Sequence, residues 1–139
     1  MIFGQEESFV YCDMRTGVKL GSGKGLKVKV VPFEPTILSV WPKDPGEFAF
    51  AASAAVTRGN PLNIGVKPAS SQAKQYVYHI DVTGPDGKPR SLYRLNFTFD
   101  AEGGQIRVPL ALNDPTGPWT IAIREAATGL TKNVTVQVE

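Results

Sequence analysis

The amino-acid sequence predicts an all-β chain in which two antiparallel sheets press their apolar faces together. Three observations predict it. Apolar and polar residues alternate with a period of two through most of the chain, the mark of a strand with one buried face. Turn-forming clusters interrupt the alternation at short intervals, drawing on 14 Gly and 11 Pro in 139 residues. No stretch of useful length keeps helical spacing, so the crossover helices that a parallel sheet requires are missing.

The pattern is clearest from Gln105 to Glu139. Ile106, Val108, Leu110 and Leu112 fall on one face of a first run. Trp119, Ile121 and Ile123 share a face of the second, and Val134, Val136 and Val138 of the third.

From the start, Ser8 to Met14 reads as a strand with Phe9 and Tyr11 on one face, and Arg15-Thr16-Gly17 as a turn. Gly21-Ser22-Gly23-Lys24-Gly25 reads as a second, Gly-rich connection. Leu26, Val28 and Val30 alternate with Lys27 and Lys29 in a strand with one wet face. Pro32 and Pro35 break it, because proline donates nothing to a ladder. Thr36 to Trp41 is a short β-prone run. Pro42-Lys43-Asp44-Pro45-Gly46 is the strongest internal boundary, separating a β segment over 1–45 from a sandwich over 46–139.

Glu47 to Thr57 keeps a strand period through Phe48, Phe50, Ala52, Ala54 and Val56. After the turn Arg58-Gly59-Asn60-Pro61 come a strand with Leu62, Ile64 and Val66, then a polar loop from Pro68 to Ala73. Gln75 to Thr83 places Tyr76, Tyr78, Ile80 and Val82 together, and Gly84-Pro85-Asp86-Gly87 turns the chain. Ser91 to Asp100 aligns Tyr93, Leu95, Phe97 and Phe99. From Glu47 onward this makes about seven strands, at the spacing and over the roughly 100 residues of an immunoglobulin-type sandwich. The two or three strands before Pro42 are not stable alone in water. They are expected to dock on the sandwich or on a second copy of the chain.

Composition excludes several functions. The net charge of +2, from 15 basic and 13 acidic residues, is scattered and indicates neither nucleic acid nor membrane insertion. No apolar stretch is long enough to span a bilayer. MIFGQEESF lacks the basic and apolar regions of a signal peptide. Cys12, the single cysteine, has no internal disulfide partner and is expected as a small buried side chain.

Chemistry-bearing patterns are equally thin. Cys12 and His79 lie far apart, without zinc-ligand spacing. His79 is expected as a polar strand position beside Asp81, because no nucleophile motif accompanies it. Asp86, Asp100, Glu102 and Asp114 lie in turns without an EF-hand pattern, where such groups bond their own backbone. The segment Gly21 to Gly25 lacks the Lys-Ser/Thr ending and following helix of a phosphate loop. Paired carboxylates across a cleft are not apparent. Of Tyr11, Trp41, Tyr76, Tyr78, Tyr93 and Trp119, most fall on core faces. Trp41 beside the Pro boundary is the exception, and packing is expected there too. Two sequons, Asn96-Phe97-Thr98 and Asn133-Val134-Thr135, lie inside strands. No catalytic, cofactor-binding or metal residue is assigned, and no cofactor is expected.

His79-Ile80 through Gly84-Pro85-Asp86-Gly87, Tyr93, Pro109-Leu110-Ala111-Leu112-Asn113-Asp114-Pro115, Gly117-Pro118-Trp119 and Ala127-Thr128-Gly129 together resemble the immunoglobulin-like domains of bacterial macroglobulin type. They are also similar to the accessory sandwiches C-terminal to catalytic domains in large bacterial proteins of the β-galactosidase kind. Asp13-Met14-Arg15-Thr16-Gly17, Leu20-Gly21 and Pro35 through Pro42 look like the closing hairpin of a preceding sandwich in such proteins. The resemblance implies a non-catalytic, extracytoplasmic module of a larger exported protein. Its partners would be other domains of that parent or a second copy. A carbohydrate-binding module is the alternative, and an independent enzyme the third reading. The resemblance transfers no catalytic or sugar-binding residue. The catalytic barrel and the macroglobulin thioester motif are both absent.

Overall fold

A computed structural model describes residues 2–139, with side chains from Glu7 onward. In chain order its strands are β1 (Ile2–Asp13), β2 (Val18–Lys27), β3 (Leu38–Trp41), β4 (Ala49–Ala52), β5 (Ala55–Val56), β6 (Pro61–Lys67), β7 (Tyr76–Thr83), β8 (Leu95–Phe99), β9 (Gly104–Pro109), β10 (Gly117–Glu125) and β11 (Thr131–Val138). The fold is all-β. A single 3-10 turn, Ser91–Tyr93, is the only helical element among the described residues. None of their helices is long and apolar enough to cross a membrane.

The strands form three sheets, ordered β2-β1-β3, β5-β11-β10-β7-β8 and β4-β6-β9. Period-two alternation fills the space between the last two. Tyr76, Tyr78, Ile80 and Val82 of β7 and Trp119, Ile121 and Ile123 of β10 are buried from one sheet. Leu62, Ile64 and Val66 of β6 and Ile106 and Val108 of β9 are buried from the other. All belong to one hydrophobic cluster. Register aligns the apolar rows, with Ile121 beside Val82 on one side and Val134 on the other. Neighbours so paired on one face stabilise a sheet.

The structure corrects the sequence reading at five places. Glu47 to Thr57 is two strands in different sheets. β4 runs antiparallel to β6, and β5 runs parallel to β11, with Gln137 opposite Ala55. Eight strands therefore follow Glu47 instead of about seven, and one pairing is parallel. Small side chains at Ala52-Ser53-Ala54 let the chain cross between sheet edges without changing the period of two. The Gly-rich segment 21–25 lies within β2, opposite Gly4, Phe9, Val10 and Tyr11. Register shifts between Gly4 and Phe9 and between Tyr11 and Cys12 absorb the mismatch, as bulges do. Val28 and Val30 fall beyond the end of β2. Ser91 to Tyr93 leave the strand run because the Tyr93 hydroxyl is held by Asp114, 2.5 Å away. Leu112 is exposed, since β9 ends at Pro109 and the chain then turns.

The 1–45 segment contacts the rest of its own chain. Trp41 stacks on Tyr76 with ring centroids 6.5 Å apart, and Cys12 and Trp41 join the common core. The β1–β2 turn meets the β10–β11 turn, where Arg124 donates to the carbonyls of Met14 and Arg15. Within the segment itself, Lys19 pairs with Asp44 at 2.5 Å.

Candidate functional site

Each candidate group follows from the strand or turn that carries it. His79 lies on the outer face of β7, opposite in direction to Tyr78 and Ile80. Its Nδ1 is 2.7 Å from Asn96 Oδ1 on the neighbouring strand β8, and its Nε2 is 3.3 Å from Asp81. Arg94 Nε donates to the other Asp81 oxygen at 2.7 Å. Both imidazole nitrogens thus face oxygens of the same sheet, and no Ser or Cys takes part. The arrangement is an inter-strand polar ladder, with no nucleophile for the histidine to activate. A shallow depression of about 340 Å³ lies beside it, lined by Met14, Arg15, Ile37, His79, Arg124 and Ala126.

The turn aspartates bond backbone, as their positions predict, whereas Glu102 takes part through its N–H. Asp86 accepts from the Lys88 N–H and from Arg90, and both hold its carboxyl below the usual range. Asp100 accepts from the Glu102 N–H at 2.9 Å, and Asp114 from the Ala111 N–H at 2.7 Å. Asp13 and Asp44 behave likewise towards Arg15 and Gly46. The Arg15 N–H lowers the Asp13 carboxyl, and the Lys19 ammonium lowers that of Asp44. Among the described residues no three His, Cys, Asp or Glu side chains converge as a metal site would require.

A buried carboxylate that sequence reasoning did not single out lies at the end of β10. Glu125 Oε1 accepts from the Ala127 N–H at 3.0 Å. Its Oε2 accepts from the Thr128 N–H at 2.8 Å and the Thr128 hydroxyl at 2.5 Å. Glu-x-x-Thr-Gly, with the glycine at positive φ, was the available signal. The cavity beside it, bordered by Trp41, Tyr78 and Thr128, is about 10 Å³. That is far below the several hundred Å³ of a ligand pocket. The group closes a turn. Burial pushes the neighbouring Cys12 thiol and Tyr78 phenol upward, the direction that makes a thiol inert.

The aromatic candidates face inward. Tyr11, Trp41, Tyr76, Tyr78, Tyr93 and Trp119 are all buried. The indole N–H of Trp119 donates to the Pro115 carbonyl at 2.9 Å, and that of Trp41 to the Ser39 hydroxyl at 2.9 Å. Asn96 and Asn133 lie inside β8 and β11.

Exposed apolar side chains show a different distribution. Six of the nine large ones among the described residues, Val18, Val30, Val31, Phe33, Ile37 and Val40, fall in the N-terminal segment. The exposed apolar surface of the described residues therefore lies largely on that segment. No family model matches the chain, and no curated protein matches it either.

Proposed function

We propose that this chain is a non-catalytic structural and interaction module of a larger exported bacterial protein. In this reading 46–139 is an immunoglobulin-like sandwich of the macroglobulin or glycosidase-associated kind, and 1–45 is the end of a preceding sandwich. The order β5-β11-β10-β7-β8 facing β4-β6-β9 supports the sandwich, since immunoglobulin topology likewise divides an early edge strand and a late pair between two sheets.

One observation carries the functional part. The turn aspartates bond within the fold and all Trp and Tyr side chains are buried, while exposed apolar side chains gather on one segment. Concentrated apolar exposure marks a contact surface. A carbohydrate-binding role would call on exposed Trp or Tyr for stacking, and the six residues of those types are buried. The test is an immunoblot of fractionated source cells. The expected result is a species well above the chain's own 15.0 kDa in an extracytoplasmic fraction. A 15 kDa cytoplasmic species would refute the reading.

A further inference from the structure

We propose that the small cavity between Tyr78 and Glu125 is a binding site for one water molecule, which joins the Tyr78 phenol to the Glu125 carboxylate. The two residues are directly opposite in register on β7 and β10, so their side chains project to the same face of the sheet. Both are buried, and both line the cavity of about 10 Å³. That volume suits a single water. The Glu125 carboxylate is drawn back onto its own turn by the Ala127 and Thr128 N–H groups and the Thr128 hydroxyl. The longer phenol reaches past it, and the two groups do not bond each other directly.

Hydrogen-bond accounting singles out one lining group. Trp41, Tyr76, Tyr78, Glu125 and Thr128 bring polar side-chain atoms to the cavity. The Trp41 indole N–H donates to Ser39, the Tyr76 hydroxyl to the Ser70 carbonyl, and the Thr128 hydroxyl to Glu125. The Tyr78 hydroxyl has no partner among the described residues, and Tyr78 is 0% exposed. A buried hydroxyl left unpaired costs the full desolvation of that group. Groups in that position are commonly served by an ordered water.

The chemistry of the site fits a water and little else. Burial and the Glu125 charge both keep the phenol protonated, so it donates to the water oxygen. The water in turn donates to Glu125 Oε1, which accepts one N–H from the protein and keeps a free lone pair. Two polar partners are the least that a buried water takes. Two oxygens are too few for a bound cation. Trp41, Pro45 and Gly46 also border the cavity, so the water lies where the chain leaves the N-terminal sheet and enters β4.

The test compares the full chain with Tyr78→Phe by high-resolution crystallography, oxygen-17 relaxation dispersion of solvent water and thermal melting. The parent should show one water within hydrogen-bond distance of both the Tyr78 hydroxyl and a Glu125 carboxylate oxygen. Relaxation dispersion should count one fewer long-lived water in Tyr78→Phe. That variant should melt about 2–6 °C lower, the shift expected from losing one hydrogen bond in a domain of this size. A dry cavity in the parent, or equal water counts, overturns the proposal. So does a Tyr78→Phe variant that melts at the same temperature or higher, because the hydroxyl would then be an unpaired group whose removal relieves the fold.

Discussion

Gly17 and Gly129, 112 positions apart, touch backbone to backbone. A Cβ on Gly17 would fall 2.6 Å from the Gly129 carbonyl oxygen, and one on Gly129 would fall 2.5 Å from the Met14 carbonyl oxygen. Both have positive φ, 71° and 74°. Two turns that look alike in sequence, Arg-Thr-Gly and Ala-Thr-Gly, are thus the two halves of the seam between the N-terminal sheet and the rest of the chain. Gly129→Ala should lose about 1–2 kcal/mol from backbone conformation alone, with the clash in addition. Thermal melts would show it, and an unchanged melting temperature would contradict the seam.

The thiol of Cys12 reports on the same seam. It is 3% exposed, and burial raises its pKa, against a smaller opposing effect of Lys19. A thiol-specific disulfide reagent should react with native protein at least roughly tenfold more slowly than with unfolded protein. Gly129→Ala should speed the native reaction. Rapid labelling of the unmodified chain would show that the segment does not stay docked.

Trp119 fills the centre of the core, and Trp119→Ala should cost about 3–5 kcal/mol. Trp119→Phe should cost less, since it keeps most of the buried volume and forfeits the bond to the Pro115 carbonyl. Denaturant unfolding of the two variants measures both. Equal costs would mean that the indole N–H, not the ring volume, dominates.

Asp114 ties three groups together. It accepts from the Tyr93 hydroxyl and the Ala111 N–H, while Ala111 N also lies 3.1 Å from the Tyr93 oxygen. Asp114→Ala removes the shared acceptor and should cost about 1–3 kcal/mol. A double-mutant cycle with Tyr93→Phe should give a clear coupling energy. Simple additivity would mean that the two residues act separately.

Alkaline pH should destabilise the fold through Tyr78. Burial, with the Glu125 charge adding, raises its phenol pKa. A folded pKa above the unfolded one gives stability that is fully present below the unfolded value, about 10 for tyrosine, and lost as pH rises beyond it. Tyrosinate absorbance from Tyr78 should appear only as the β-sheet circular dichroism disappears. Tyr78→Phe should lessen the decline. Titration of all four tyrosines in folded protein would disprove this.

The strands from Gln75 onward were legible because each presents one apolar face, and the period alone separates Tyr78 and Ile80 from His79 and Asp81. Asp86 and Asp100 were legible because a carboxylate two residues before an N–H has a local partner, whereas Asp114 reaches back three residues to the Ala111 N–H. The division of Glu47 to Thr57 was not. Crossing from β4 to β5 preserves the alternation, so only the positions of β6 and β11 reveal it. Segment 21–25 misled for a related reason. Glycines suit a turn by themselves, yet Gly21 and Gly23 lie in β2 opposite Tyr11 and Phe9, with positive φ of 140° and 147°.

The sequence by itself determined that this chain is all-β and which residues of its regular strands, such as Tyr78, Ile80 and Ile121, face inward. It could do so because alternation and turn chemistry act over neighbouring residues. Tertiary structure alone decided which edges pair, that Gly17 meets Gly129, that Glu125 is buried, and that Phe33 remains in solvent. Those outcomes depend on groups far apart in the chain meeting or failing to meet, which a local pattern does not encode.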